Sequence, residues 1–164
     1  MGWTSLSSSR VASPSEAFQK ILVPIDGSPS SYRGLQYAVE IARKFDAEIT
    51  LIHVVEQPTY AFALGDANAI PAEAFVDLEG SAEMLLQERR DELIKEGVRA
   101  KTLLKRGNPA IEILTASTRF DLIVMGSNGL SRFKRLLLGS VSNGVVQNSK
   151  VPVMIVRPGG ALPR

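Results

Sequence analysis

Short runs of branched aliphatic residues, KILVPID from position 20, AEITLIHVVE from 47, VRAKTLLKRG from 98, FDLIVMG from 120 and VPVMIVRP from 151, recur along this chain with helix-like stretches between them. That alternation constrains the fold more than any other feature. Strands separated by helices cannot close as hairpins, so they lie parallel and are joined by right-handed crossovers. Runs such as LIVM and VMIV lack an apolar–polar alternation, as strands do when helices cover both of their faces. The expected fold is α/β: a doubly wound five-stranded parallel sheet, flavodoxin-like or Rossmann-like, in the order 3-2-1-4-5 with helices on both faces.

The stretches between the runs carry helix signals. Ser28 can cap a helix over 29–45 with Pro29 in its first position, where the missing N–H costs nothing, and Leu35, Ala38, Val39, Ala42 and Phe45 share one face. A helix over 73–96 offers Phe75, Leu78, Ala82, Leu85, Leu86, Leu93 and Ile94, with Met84 read as core beside Leu85 and Leu86, and Gly97 ends it. Asn108 caps a helix over 109–118, and a last helix runs over 140–148. The loop QPTYAFALGDANAIPAE is too long for an ordinary connection, so it is functional or mobile; its Tyr60 and Phe62 either cover a ligand or anchor the loop.

A length of 164 residues suits one domain, placed at 18–158 between a Ser-rich tail at 1–17 and a short tail at 159–164. A net charge of +2 with mixed signs announces no nucleic-acid face. With no cysteine and one histidine, disulfides and thiolate or His-rich metal sites are excluded. No apolar stretch reaches the roughly 18 residues of a membrane span, and the first residues lack a signal-peptide core, so a soluble cytoplasmic chain is expected. Leu6 stands where a myristoylation signal wants Ser or Thr.

Doubly wound sheets bind ligands at the carboxyl ends of the strands, where strand order reverses. If the first and fourth strands flank that point, Asp26 and Gly126 face one crevice. The segment MGSNGLSRFKRLLLGSVS at 125–142 then has the parts of an anion cradle. Gly126 and Gly129 allow close approach, and Gly139 and Ser140 open a helix whose N–H groups, with the Ser140 and Ser142 hydroxyls, suit a phosphate. The same residues also fit a plain strand end and helix cap. Asp26 fits a turn cap, the Arg132, Lys134 and Arg135 cluster a solvated loop, and His53 a core or edge histidine. Gly139 and Gly144 have Walker spacing, but Val145 and Val146 replace its Lys-Ser/Thr pair, and no G-x-G-x-x-G follows the first strand.

The spacing G-x2-G-x9-G-[S/T], filled by Gly126, Gly129, Gly139 and Ser140, together with ILVPIDGS and VPVMIV, resembles the universal stress protein family, specifically its ATP-binding branch, over residues 20–157. The resemblance implies an ATP-binding regulator coupled to a stress response or to a protein partner, with Mg2+ or Mn2+ accompanying the phosphates. It implies Asp26 near the ribose and the metal, the backbone of Pro24 and Ile25 beside the nucleotide, and Val54 at the adenine edge. Met125 and Gly126 would border base and ribose, and Gly129 the phosphates. Gly139, Ser140, Val141 and Ser142 would form the phosphate-binding helix start, with Arg132 reaching from the loop. The alternative is a weak ATPase or phosphate-transferring enzyme using Asp26 and a divalent metal; no residue is assigned a catalytic role. DGSPSS lacks the paired glycine of loops that split ATP at its α-phosphate, and nothing indicates a flavin pocket. As an edge, the last strand would pair with its copy in a homodimer through Val153, Met154, Ile155 and Val156, bounded by Pro152 and Pro158, with Met154 supplying a ladder donor.

Overall fold

The computed structural model describes residues 18–56, 72–128 and 138–157. The expected tails lie outside them, as do Tyr60, Phe62, Gly129, Arg132, Lys134 and Arg135 and the side chain of Phe75. The elements alternate: β1 (Lys20–Pro24), α1 (Pro29–Phe45), β2 (Glu48–Val55), α2 (Ala72–Lys95), β3 (Ala100–Arg106), α3 (Pro109–Ser117), β4 (Leu122–Gly126), α4 (Ser140–Asn148) and β5 (Val153–Val156). The strands form one parallel sheet in the order β3-β2-β1-β4-β5. The expected architecture and strand order are both found.

Strand parity divides the core. Ile21, Val23, Ile49, Leu51, Leu122 and Val124 point to one face, where Leu35, Ala38, Val39 and Ala42 of α1 and Leu86 and Leu93 of α2 cover them. Leu22, Ile52, Ile123 and Met125 point to the other, under Ile113 of α3 and Val145 of α4. Consecutive strand residues such as Ile21, Leu22, Ile123 and Val124 are therefore fully buried, each contributing about 1.5–3 kcal/mol by the usual transfer value. This is why these strands read as unbroken apolar runs.

The helix starts follow the expected chemistry. Ser28 Oγ accepts from Ser31 N at 3.1 Å and Asn108 Oδ1 from Ile111 N at 3.2 Å, with proline in the first turn of both helices. On α2 the expectation fails for three residues: Met84 is 70% exposed, Ile94 52% and Leu78 48%. The buried stripe is Ala82, Leu86 and Leu93. Met84 lies two residues from Ala82, a rotation of about 200°, and so faces away from the sheet. Among the described residues no helix is long and apolar enough to cross a membrane.

Candidate functional site

The site begins with a failure of pairing. β1 is in register with β4 only at Ile21↔Leu122 and Leu22↔Ile123, whereas its pairing with β2 runs on to Pro24↔Ile52. Asp121 N donates to Lys20 O and Ile25 N to Ile52 O, so Leu22 and Pro24 face β4 while Ile25 faces β2. The N–H that Pro24 lacks would thus have pointed at β4, where the strands separate. The gap lies between the two strands from which the chain winds in opposite directions, the place where such sheets take ligands.

A cavity of about 400 Å³ occupies this gap, within the range of about 300–1,000 Å³ typical of small-molecule sites. Pro24 lines it from the end of β1 and Ile25 and Asp26 from the turn after it, Val54 from β2, Met125 and Gly126 from β4, and Gly139, Ser140, Val141 and Ser142 from the start of α4. Every candidate residue within the described segments is therefore brought to one cavity. Residues not assigned to the site from the sequence join them: Ser28, read only as a helix cap, and Ser31, Ile52, Glu56, Pro109, Ile113 and Asn128. His53, read from the sequence as a core or edge histidine, is also there, half-buried, with Nδ1 2.7 Å from Ile25 O.

The walls differ in chemistry. Ile52, Ile113 and Met125 are buried, and Val54 and Val141 pack beside them, giving an apolar slot between the sheet and helices α3 and α4. The opposite end is polar. Asp26 Oδ1 accepts from Ser28 N at 3.0 Å, so the carboxylate does cap its turn while standing on the cavity wall. Gly27, at φ +79, supplies the left-handed conformation that lets the chain leave β1 and enter α1.

Helix α4 is built differently from α1 and α3. Its N-cap is Gly139, with no side-chain cap bond, and the first helical bond runs from Asn143 N to Gly139 O. The N–H groups of Ser140, Val141 and Ser142 precede that bond and carry the positive end of the helix dipole. Ser142 departs from expectation: its hydroxyl is buried and donates to Ser127 O at 2.7 Å, with Gly139 O at 3.0 Å. A hydroxyl has one proton, so Ser142 offers a ligand its backbone N–H, not its side-chain donor.

Gly126 is needed for a different reason from the one its sequence position implied. A Cβ there would stand 2.4 Å from Ser30 O and Oγ and 2.6 Å from Ser30 C, so the missing side chain makes room for the first turn of α1. Gly34 repeats the device from the helix side, where a Cβ would lie 3.0 Å from Gly126 N.

Asp26 and Glu56 are the carboxylates among the described lining residues, which include no Lys or Arg. Among the described residues no three His, Asp or Glu side chains converge to hold a metal. Asp26 is therefore a single candidate oxygen ligand, and a divalent ion here would need most of its coordination from outside the described side chains.

Compared with known proteins, residues 17–157 match the sequence profile of the universal stress protein family. Universal stress protein YxiE of Bacillus subtilis is 35% identical over 147 residues, covering 85% of this chain and 99% of that protein. Universal stress protein UspA from Lactobacillus plantarum superposes with a TM-score of 0.71 at 25% identity, over 85% of this chain and 98% of the other. A universal stress protein crystallised in complex with cAMP superposes with a TM-score of 0.64 at 26% identity, over 86% and 98%.

Proposed function

This chain belongs to the universal stress protein family, and from that premise we propose that it is an ATP-binding regulator. The observation that carries the reading is the uncapped start of α4, opening onto a cavity whose other wall is apolar. The slot formed by Ile52, Val54, Ile113 and Met125 suits a flat base. The N–H groups of Ser140, Val141 and Ser142 suit phosphate oxygens. Asp26 lines the same cavity, and a ribose and the ion riding on the phosphates would approach its carboxylate. Gly129, in the segment between β4 and α4, completes the family's glycine motif in the sequence, and Arg132 follows it in the same segment. The relative crystallised with cAMP supports the coarser reading that a nucleotide occupies this cavity.

ATP is favoured because the spacing of Gly126, Gly129, Gly139 and Ser140 resembles the ATP-binding branch of the family, and because Mg2+ or Mn2+ on its phosphates would offset the charge of Asp26 and Glu56. Binding, not turnover, is what the lining supports. Occupancy would bias the loops around the crevice and so present or withdraw a surface for a cytoplasmic partner.

The same reading makes the protein a homodimer through β5. The two edges of the sheet differ: β3 carries Lys101, Lys105 and Arg106, charges that discourage pairing, whereas β5 is VMIV, with Val153, Met154 and Ile155 half-buried. Parity changes the expected donor. Ile123 N donates to Pro152 O and Ser127 N to Val156 O, so Met154 belongs to the set that faces β4. Val153 and Ile155 direct their N–H and C=O outward, and a second copy would pair with those.

Isothermal titration with ATP, cAMP and AMP, each with and without Mg2+, tests the nucleotide assignment. Micromolar binding of ATP, tighter than either monophosphate, is expected. No heat with ATP and Mg2+ overturns it, and tighter binding of cAMP moves the assignment to a monophosphate.

A further inference from the structure

His53 is the only histidine in the chain, and its ring makes a 2.7 Å contact from Nδ1 to the carbonyl oxygen of Ile25. A carbonyl oxygen only accepts, so Nδ1 carries the proton. The neutral ring is thereby held in the Nδ1–H tautomer. Protonation at Nε2 would leave the bond in place.

The consequence lies in the peptide unit that joins Ile25 to Asp26. Ile25 N makes a ladder bond to Ile52 O at 2.8 Å. Beyond it the chain must turn from strand into the Gly27 turn. The C=O of that next peptide accepts from His53 of β2, and its N–H, on Asp26, lies 3.4 Å from Ser31 Oγ of α1. One peptide plane is thus held at both ends by side chains from the two flanking elements. Its orientation sets the direction in which Asp26 leaves the backbone, and Ser28 N then fixes the carboxylate at 3.0 Å. We infer that His53 is a positioning residue: through its Nδ1–H bond to Ile25 it aims Asp26 into the cavity, and its role is independent of any contact between Nε2 and a ligand. The inference rests on the nucleotide reading for its functional consequence and on geometry alone for its structural one.

Three substitutions separate the two ring nitrogens. Asparagine places its amide N–H near the Nδ1 position, glutamine places its own near Nε2, and leucine offers neither. ATP affinity in the presence of Mg2+ is expected to stay within about twofold of the parent in His53→Asn. It should fall about fivefold to tenfold in His53→Gln and His53→Leu, the range of one lost hydrogen bond. The reverse pattern, Gln retained and Asn weakened, would place Nε2 on the ligand and overturn the inference. Equal loss in all three reduces His53 to packing, and parental affinity in all three leaves it no role; either result overturns the inference too.

Two measurements without nucleotide keep its failure distinct from failure of the ATP assignment. Long-range proton–nitrogen NMR on the neutral ring should show the Nδ1–H tautomer for the single histidine, and an Nε2–H tautomer refutes the bond. The Asp26 amide resonance should move in His53→Leu and His53→Gln and hold its place in His53→Asn. An unmoved Asp26 amide in His53→Leu overturns the inference whether or not the protein binds ATP.

Discussion

Replacing Gly126 by alanine tests whether this glycine serves the ligand or the fold. The added Cβ would sit 2.4 Å from Ser30 O and 2.6 Å from Ser30 C, nearly an ångström inside ordinary contact. Both atoms are backbone, so no rotamer change relieves the overlap; the first turn of α1 must withdraw from β4. Withdrawal opens space over Val124, which is fully buried against that helix. Overpacking costs about 1–3 kcal/mol, and a clash with backbone belongs at the upper end, about 3 kcal/mol. For a chain of this size that lowers Tm by about 6–12 °C. Equilibrium urea unfolding followed by far-UV circular dichroism, without nucleotide, reads the cost directly. Gly139→Ala is the control: a Cβ there meets its neighbours at 3.5 Å or more, so the loss should be about 1 kcal/mol or less, from the poorer N-cap alone. Adding Ser30→Ala to Gly126→Ala removes the Oγ overlap but not the carbonyl, and should restore less than half of the stability. A Gly126→Ala protein within about 0.5 kcal/mol of its parent would refute the packing argument.

Ser28→Ala removes the acceptor for Ser31 N at a fully buried cap and should cost about 1–2 kcal/mol by chemical denaturation; a change below about 0.3 kcal/mol would show that the cap bond carries no stability. Asp26→Asn keeps an acceptor for Ser28 N but loses the charge, so folding should be unaffected while ATP affinity drops about tenfold with Mg2+ and less without it. Equal losses in the two titrations would remove the ion from the site. Ile155→Pro deletes an outward N–H of β5 and should yield monomers by light scattering at micromolar protein, whereas a monomeric parent would sink the dimer itself.

Much of this protein is local information. The strand–helix alternation and the Ser28-Pro29 and Asn108-Pro109 helix starts are short-range patterns that the structure shows where their chemistry puts them, and Gly126, Gly139 and Ser140 line one cavity. They bring Asp26, Val54 and the start of α4 to one cavity because parallel crossovers place every strand's carboxyl end on the same side of the sheet. Other features exist only between elements distant in sequence. Asp121 Oδ2 accepts from the N–H groups of Gln19 and Lys20 at 3.0 and 2.8 Å, tying the start of β1 to β4 across a hundred residues of chain. Nothing in the neighbourhood of Asp121 announces this.

The same holds for Gly126, whose glycine answers to Ser30, for His53, whose partner is a carbonyl on another strand, and for Ser142, whose proton goes to Ser127. On α2, reading Met84 as core beside Leu86 overlooked that the two lie about 200° apart on the helix, and the sheet covers the Leu86 side. Periodicity states which residues share a face, and capping states where a helix begins. Which backbone approaches which, and which edge direction a β5 donor takes, is decided by register, and register is a property of two strands together.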